Sequence, residues 1–319
     1  MEILDKPKIL DLLKGLNLES LISEGFIAYS NKLAVIPPVG ELLFENPPGD
    51  VHIKYGYIRN EKYYVIKLAS GFPNNQDLGL TNSQGMMLLF EQKTGVPVSV
   101  LLDNGYLTDI RTAVAGQICA KVLSNRIDTI GIIGTGIQAR LQLQYLRDIT
   151  TCRDVLVWGR NVEHSKDFQS KMKEYGFNVL ISSSVHDLSS KSNLIILATS
   201  SSEPLLFKED LKPGTHITAI GADTGLKREI GPGVLNKASI VITDSLKQCI
   251  DRGEISHALK EGSIISKNIV ELGKILDLSH PGRTKKEEIT IADLTGVAVQ
   301  DLKIASGIFD KYLSRKNEF

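Results

Sequence analysis

Gly134, Gly136 and Ala139 define a G-x-G-x-x-A turn, Gly134-Thr135-Gly136-Ile137-Gln138-Ala139. It follows the β-branched run Ile130-Gly131-Ile132-Ile133 and precedes Leu141, Leu143, Tyr145 and Leu146 among Gln and Arg. Strand, glycine turn and helix in that order form the context in which this spacing binds a dinucleotide. The first glycine permits the tight turn, the second lets the backbone approach a pyrophosphate, and the alanine allows close helix–strand packing. Phosphate charge then meets the free N–H groups and positive dipole end of the helix. Thr135, Ile137 and Gln138 belong to the same turn, and Thr199 and Ser200, after a later strand, are further candidates for phosphate or nicotinamide contacts. Serines at strand ends also occur simply as turn residues.

The next strand ends at Trp158-Gly159-Arg160-Asn161. An NAD-selective site usually has Asp or Glu there for the ribose 2′-hydroxyl. Arg160 instead matches a 2′-phosphate in charge and fork geometry. With Asn161 beside it, the pattern favours NADP(H), with NAD(H) as the alternative. Three charged residues stand in apolar surroundings: Lys67 in VIKLAS, Arg111 in NGYLTDIRTA, and Asp223 in AIGADTGLK. Each alone reads equally well as an ion pair or helix cap. Asp223 follows a strand whose C-terminal end should face the ligand crevice of an open α/β sheet. The six histidines show no metal-ligand spacing, and no nucleophile elbow occurs, so neither metal nor acyl-transfer chemistry is indicated.

These residues need elements to hold them. Asp5-Lys6-Pro7 can open a helix with Ile9, Leu10, Leu12 and Leu13 as its apolar face. From Leu33 to about residue 100, short runs (LAVIPPVGELLF, VHIKYGYI, YYVIKLAS, MMLLFEQ) alternate with turn chemistry and predict an antiparallel or mixed sheet. FEQKTGVPVSV reads as a hairpin, and residues 108–124 as a linking helix. From Thr129 onward, strand-like segments alternate with helices at a spacing that predicts a parallel sheet with right-handed crossovers. The tail from Ala292 to Leu313 is expected to be a final helix packing back on the N-terminal domain. The expected fold is therefore α/β: a Rossmann dinucleotide-binding domain over 125–292 and an α+β substrate and dimerisation domain from 1–124 and 293–319.

Composition narrows the partners. Lys plus Arg equals Asp plus Glu at 37 each, so no net field recruits nucleic acid or an anionic membrane. Cys119, Cys152 and Cys249 are far apart and read as reduced thiols. The first ten residues carry acids and lack the apolar core of a signal peptide, which leads us to expect a cytoplasmic protein.

The chain resembles the ornithine cyclodeaminase and mu-crystallin family. The resemblance rests on GLTNSQGMMLLFEQKTG, LLDNGYLTDIRTA, IGIIGTGIQARLQ, AIGADTGLKREI, GEISHAL, PGR and TGVAVQDLKIA, in that order along nearly the whole chain. It implies a homodimeric NAD(P)-dependent enzyme acting on small α-amino or α-imino acids. By the resemblance, Lys67 sits beside the substrate carboxylate and reacting carbon, Arg111 binds the carboxylate, and Asp223 is the acid–base residue. The family usually has an arginine after its paired prolines, whereas here Val39 follows Pro37-Pro38. Lys54 stands on the following strand, facing either the pocket or solvent. VHIKYGY, ASGFPNN and LLDNGYLTDIRT resemble a branch that includes iminosuccinate reduction. The implied function is reduction of a small imino acid by hydride transfer; the alternatives are ornithine cyclodeaminase and a mu-crystallin-like NADPH-dependent binding protein.

Overall fold

The computed structural model describes residues 1–318. Its strands are β1 (Glu2–Asp5), β2 (Ala34–Val35), β3 (Gly40–Glu45), β4 (Pro48–Ile58), β5 (Tyr63–Gly71), β6 (Ser83–Glu91), β7 (Pro97–Leu102), β8 (Ile130–Ile133), β9 (Asp154–Trp158), β10 (Asn178–Ile181), β11 (Leu194–Leu197), β12 (His216–Ala219), β13 (Ile240–Thr243), β14 (Ile269–Glu271) and β15 (Thr290–Asp293). Its helices are α1 (Lys6–Leu13), α2 (Leu18–Ser30), α3 (Tyr106–Leu123), α4 (Ile137–Leu146), α5 (Val162–Glu174), α6 (Val185–Lys191), α7 (Val234–Lys237), α8 (Leu246–Cys249), α9 (Gly253–Lys260), α10 (Leu272–Leu276) and α11 (Ala298–Lys316). The chain divides into two compact units, Met1–Arg111 with Val297–Phe319, and Thr112–Gly296.

The first unit holds a seven-stranded sheet in the order β1-β7-β6-β5-β4-β2, with β3 paired to β4. Short turns make β3–β4, β4–β5 and β6–β7 antiparallel hairpins, β5 and β6 pair antiparallel across the longer 72–82 connection, and β1 lies parallel to β7. Strand β1 escapes sequence patterning: only Leu4 of its four residues is buried. One sheet face, carrying Val65, Met87, Leu89 and Leu101, is buried, and α11 and α2 pack together in this unit. Asp5 caps α1 by accepting from Lys8 N at 3.0 Å, in keeping with its place before Lys6-Pro7.

The second unit is an eight-stranded parallel sheet, β10-β9-β8-β11-β12-β15-β13-β14. The order runs outward in both directions from β8 and β11, which makes their junction the topological switch point. One expectation fails here. The final helix begins at Ala298 rather than near Ala292, because residues 290–293 form β15, inserted between β12 and β13. Four buried residues with flanking turns are too few to display a period of their own. Among the described residues, no helix is long and apolar enough to cross a membrane, and no cluster of His, Cys, Asp or Glu could hold a metal ion.

Candidate active site

In the second unit, Gly134 follows β8 with φ of 119°, a backbone conformation that side chains avoid. A Cβ there would lie 2.5 Å from Ala198 O and 3.2 Å from Thr199 Cγ2, so the turn packs directly on the loop after β11. Gly136 is different. It caps α4 with an ordinary φ of −75° and no side-chain hydrogen bond, and a Cβ on it would meet nothing within 4 Å. The open space over Gly136 and the uncapped start of α4 are what a pyrophosphate requires. Ile137 is half exposed at that helix start, and Thr135 and Gln138 are partly buried beside it.

Thr135 packs against the end of β9, where a Cβ on Gly159 would approach its Cγ2 to 2.8 Å. Arg160 is exposed just beyond. Asn161 caps α5, its Oδ1 accepting from Glu163 N and His164 N at 2.8 and 3.3 Å, which is a structural role. Thr199 N donates to Glu229 Oε1 at 2.7 Å, and Ser200 is exposed. Asp223 lies in the loop beyond β12, and its carboxylate pairs with Lys227 at 2.7 Å while remaining 41% exposed. The open space over Gly136 and the uncapped start of α4 fit a dinucleotide.

The first unit carries a buried ionic cluster. Lys67 on β5, 2% exposed, lies 3.5 Å from Asp301 on α11, and Arg111 in the first turns of α3 donates from Nε to the same carboxylate oxygen at 3.0 Å. Gln300 steadies the pair: its Oε1 accepts from Arg111 Nη1 and Val297 N, and its Nε2 donates to Arg111 O. Lys54 is directly opposite Lys67 across the β4–β5 pair and 7% exposed. Residues opposite one another in an antiparallel pair share a face, so Lys54 is on the buried side, and the edge-lysine alternative is set aside. Burial pushes the Lys67 ammonium down to about 7; Asp301 opposes this, and Arg111 and Lys54 reinforce it. Asp103, whose Oδ2 caps α3 through Leu107 N at 2.7 Å, is raised by burial to about 6.

Asp301 is the site residue that sequence reasoning misses, because an acid in an amphipathic helix is ordinarily solvated. The available signal is its position: Ala298, Ile304, Ala305 and Ile308 place 301 on the buried stripe of α11.

A glycine cradle at the switch point of a doubly wound parallel sheet places the second unit among Rossmann dinucleotide-binding domains. The chain belongs to the ornithine cyclodeaminase/mu-crystallin family, whose model matches residues 7–316. A Sinorhizobium fredii protein named as an uncharacterized cyclodeaminase is 36% identical, over 86% of this chain and 84% of its own. The iminosuccinate reductase of Paracoccus denitrificans is 33% identical, over 81% of this chain and 79% of its own. The solved structure of Thermococcus litoralis Delta(1)-pyrroline-2-carboxylate reductase, in complex with NADH and L-proline, matches with a TM-score of 0.91 at 26% identity, covering 99% of this chain and 98% of that one.

Proposed function

We propose that this protein is an NAD(P)H-dependent reductase of a small α-imino acid. The observation that carries the reading is Lys54 opposite Lys67 on the buried sheet face. Two cations there, with Arg111 beside them, suit a carboxylate-bearing substrate, whereas ornithine would bring its own side-chain ammonium into a like-charge contact. Iminosuccinate and Delta(1)-pyrroline-2-carboxylate, named in two of the relatives, both lack that second amine.

In this reading Arg111 and Lys67 hold the substrate carboxylate, fixed by Asp301, so that the imine carbon is oriented without covalent chemistry. Asp223 passes a proton to the imine nitrogen, and the carbon takes the hydride, leaving an amine. The reduced nicotinamide supplies that hydride when bound. Lys54 contacts a second acidic group where the substrate has one. Gly134 to Gln138, Thr199 and Ser200 hold the nucleotide, and Arg160 favours the 2′-phosphate of NADPH, although the Thermococcus relative was solved with NADH. The other face of the first unit's sheet leaves Ile3, Tyr55, Met86 and Leu102 exposed, an apolar surface suited to a second copy of the chain.

A panel of 2-oxo acids with ammonia, and of cyclic imino acids, tests the reading by following NADPH and NADH absorbance. Stoichiometric cofactor oxidation is expected, and it should be lost in Lys67→Ala, Arg111→Ala and Asp223→Ala. Conversion of ornithine to proline and ammonia with only catalytic NAD⁺ would overturn the reading in favour of a cyclodeaminase.

A further inference from the structure

Glu229, Glu254, Asp293 and Asp244 are among the carboxylates that lie buried in the second unit without a part in the chemistry above. Three of them form a relay of backbone clamps. Asp293, ending β15, accepts from Ile255 N at 2.8 Å in the first turn of α9. Glu254 in that turn accepts from Glu229 N at 2.6 Å and Ile230 N at 3.1 Å. Glu229 then spreads its two oxygens across two loops, Oε1 to Thr199 N at 2.7 Å and Oε2 to Gly221 N at 3.0 Å.

Those loops follow β11 and β12, at the strand ends where an open parallel sheet binds its ligand. They are packed backbone to backbone: a Cβ on Gly221 would lie 2.1 Å from Thr199 O and 2.4 Å from Glu229 Oε2. The Thr199 loop is also the one against which the Gly134 turn rests, and the Gly221 loop leads in two residues to Asp223. Glu229 is fully buried, and both of its clamps fall on these two loops rather than on Gly136 or Arg160.

We propose that Glu229 is a positioning residue of the cofactor site, holding the 199 and 221 loops in register so that the nicotinamide end, rather than the adenosine end, is fixed relative to Asp223. The proposal rests on the second unit binding a nicotinamide dinucleotide. It requires both oxygens to accept. An isosteric amide keeps one acceptor and turns an N–H donor toward the other loop's N–H, so one clamp is lost without a cavity. The residue acts through the loops and makes no contact with substrate itself.

The experiment compares Glu229→Gln and Glu229→Asp with the unsubstituted full chain. Dissociation constants are measured for NADPH against adenosine 2′,5′-bisphosphate, and for NADH against ADP-ribose, each pair differing by a nicotinamide-bearing portion. Glu229→Gln should weaken the dinucleotides roughly tenfold or more, the scale of one lost charge-assisted hydrogen bond, and leave the nicotinamide-free ligands within about twofold. Glu229→Asp, which keeps both acceptors on a shorter arm, should fall between, and it carries the test if the amide variant does not fold. Equal weakening of both ligand types, or of neither, would overturn the positioning role while leaving the cofactor reading intact. An unsubstituted protein that binds none of the four ligands would overturn both.

Discussion

Lys54 and Lys67 face each other across the β4–β5 pair, both buried, and the charge on Lys54 helps to depress the proton affinity of Lys67. Like charges directly opposite one another destabilise a sheet, and the pairing becomes favourable when an anion lies between or beside the two ammonium groups. Lys67 is also joined to Asp301, a fixed internal counter-ion; under the proposed function the remaining cationic charge serves an incoming carboxylate.

Removing one cation should release the other. Lys54→Met keeps the stem's bulk and deletes its charge, which removes one of the influences depressing Lys67 from its ordinary value to about 7. The Lys67 proton is then held more tightly, so the corresponding limb of kcat/KM against pH should move to higher pH. Turnover of imino diacids should fall roughly tenfold or more, the value of one charged contact, with imino monoacids little affected. A pH profile unchanged from that of the parent, or equal losses on both substrate classes, would remove Lys54 from the site.

Asp301→Asn leaves Lys67 and Arg111 buried without their shared anion. Stripping one partner from a buried ionic pair costs about 3–5 kcal/mol. Urea unfolding should therefore show a clear loss of stability. The Lys67 limb should shift the opposite way, to lower pH, because Asp301 is the group that raises its proton affinity. The opposed shifts of Lys54→Met and Asp301→Asn make a paired measurement on one pH axis.

The proposed preference for NADPH rests on Arg160, just beyond the end of β9. Arg160→Asp replaces an exposed cation by the carboxylate that favours an unmodified ribose. The ratio of NADPH to NADH affinity should fall by roughly ten- to a hundredfold. Equal affinities in the unsubstituted protein would show that Arg160 does not read the 2′-phosphate.

Two glycines of the same turn should separate folding from binding. Gly136→Ala adds a methyl where nothing lies within 4 Å and where φ is −75°, so the free protein should keep its stability. The same methyl blocks backbone approach to the pyrophosphate, and nucleotide affinity should drop roughly tenfold or more. Gly134→Ala acts on the fold first. Its φ of 119° and the 2.5 Å approach to Ala198 O should destabilise the protein by about 1–3 kcal/mol. Thermal unfolding without ligand, followed by titration with NADPH, distinguishes the two.

Much of the architecture is legible in the residues themselves. The β8–α4 turn can be read because its glycines, its β-branched strand and its helix formers are contiguous, and local spacing determines what each glycine must do. Lys67, Arg111 and Asp223 stand out because a charge in an apolar run is conspicuous without knowing its neighbours. What the linear pattern does not hold is anything depending on contacts between distant segments. The register of β4 on β5 decides which side Lys54 takes, and a slip of one residue would turn it to the other face. Strand β15 is recognisable only as the piece that completes hydrogen bonding between β12 and β13. Asp301 and Glu229 each look like ordinary acids in the sequence. Only the tertiary structure buries them, one against a lysine and an arginine far back along the chain, the other against the backbone of two loops. The reason is physical: a buried carboxylate must find donors, and here they come from segments that only the fold brings together, from eight residues away for Gly221 N to nearly two hundred or more for the partners of Asp301.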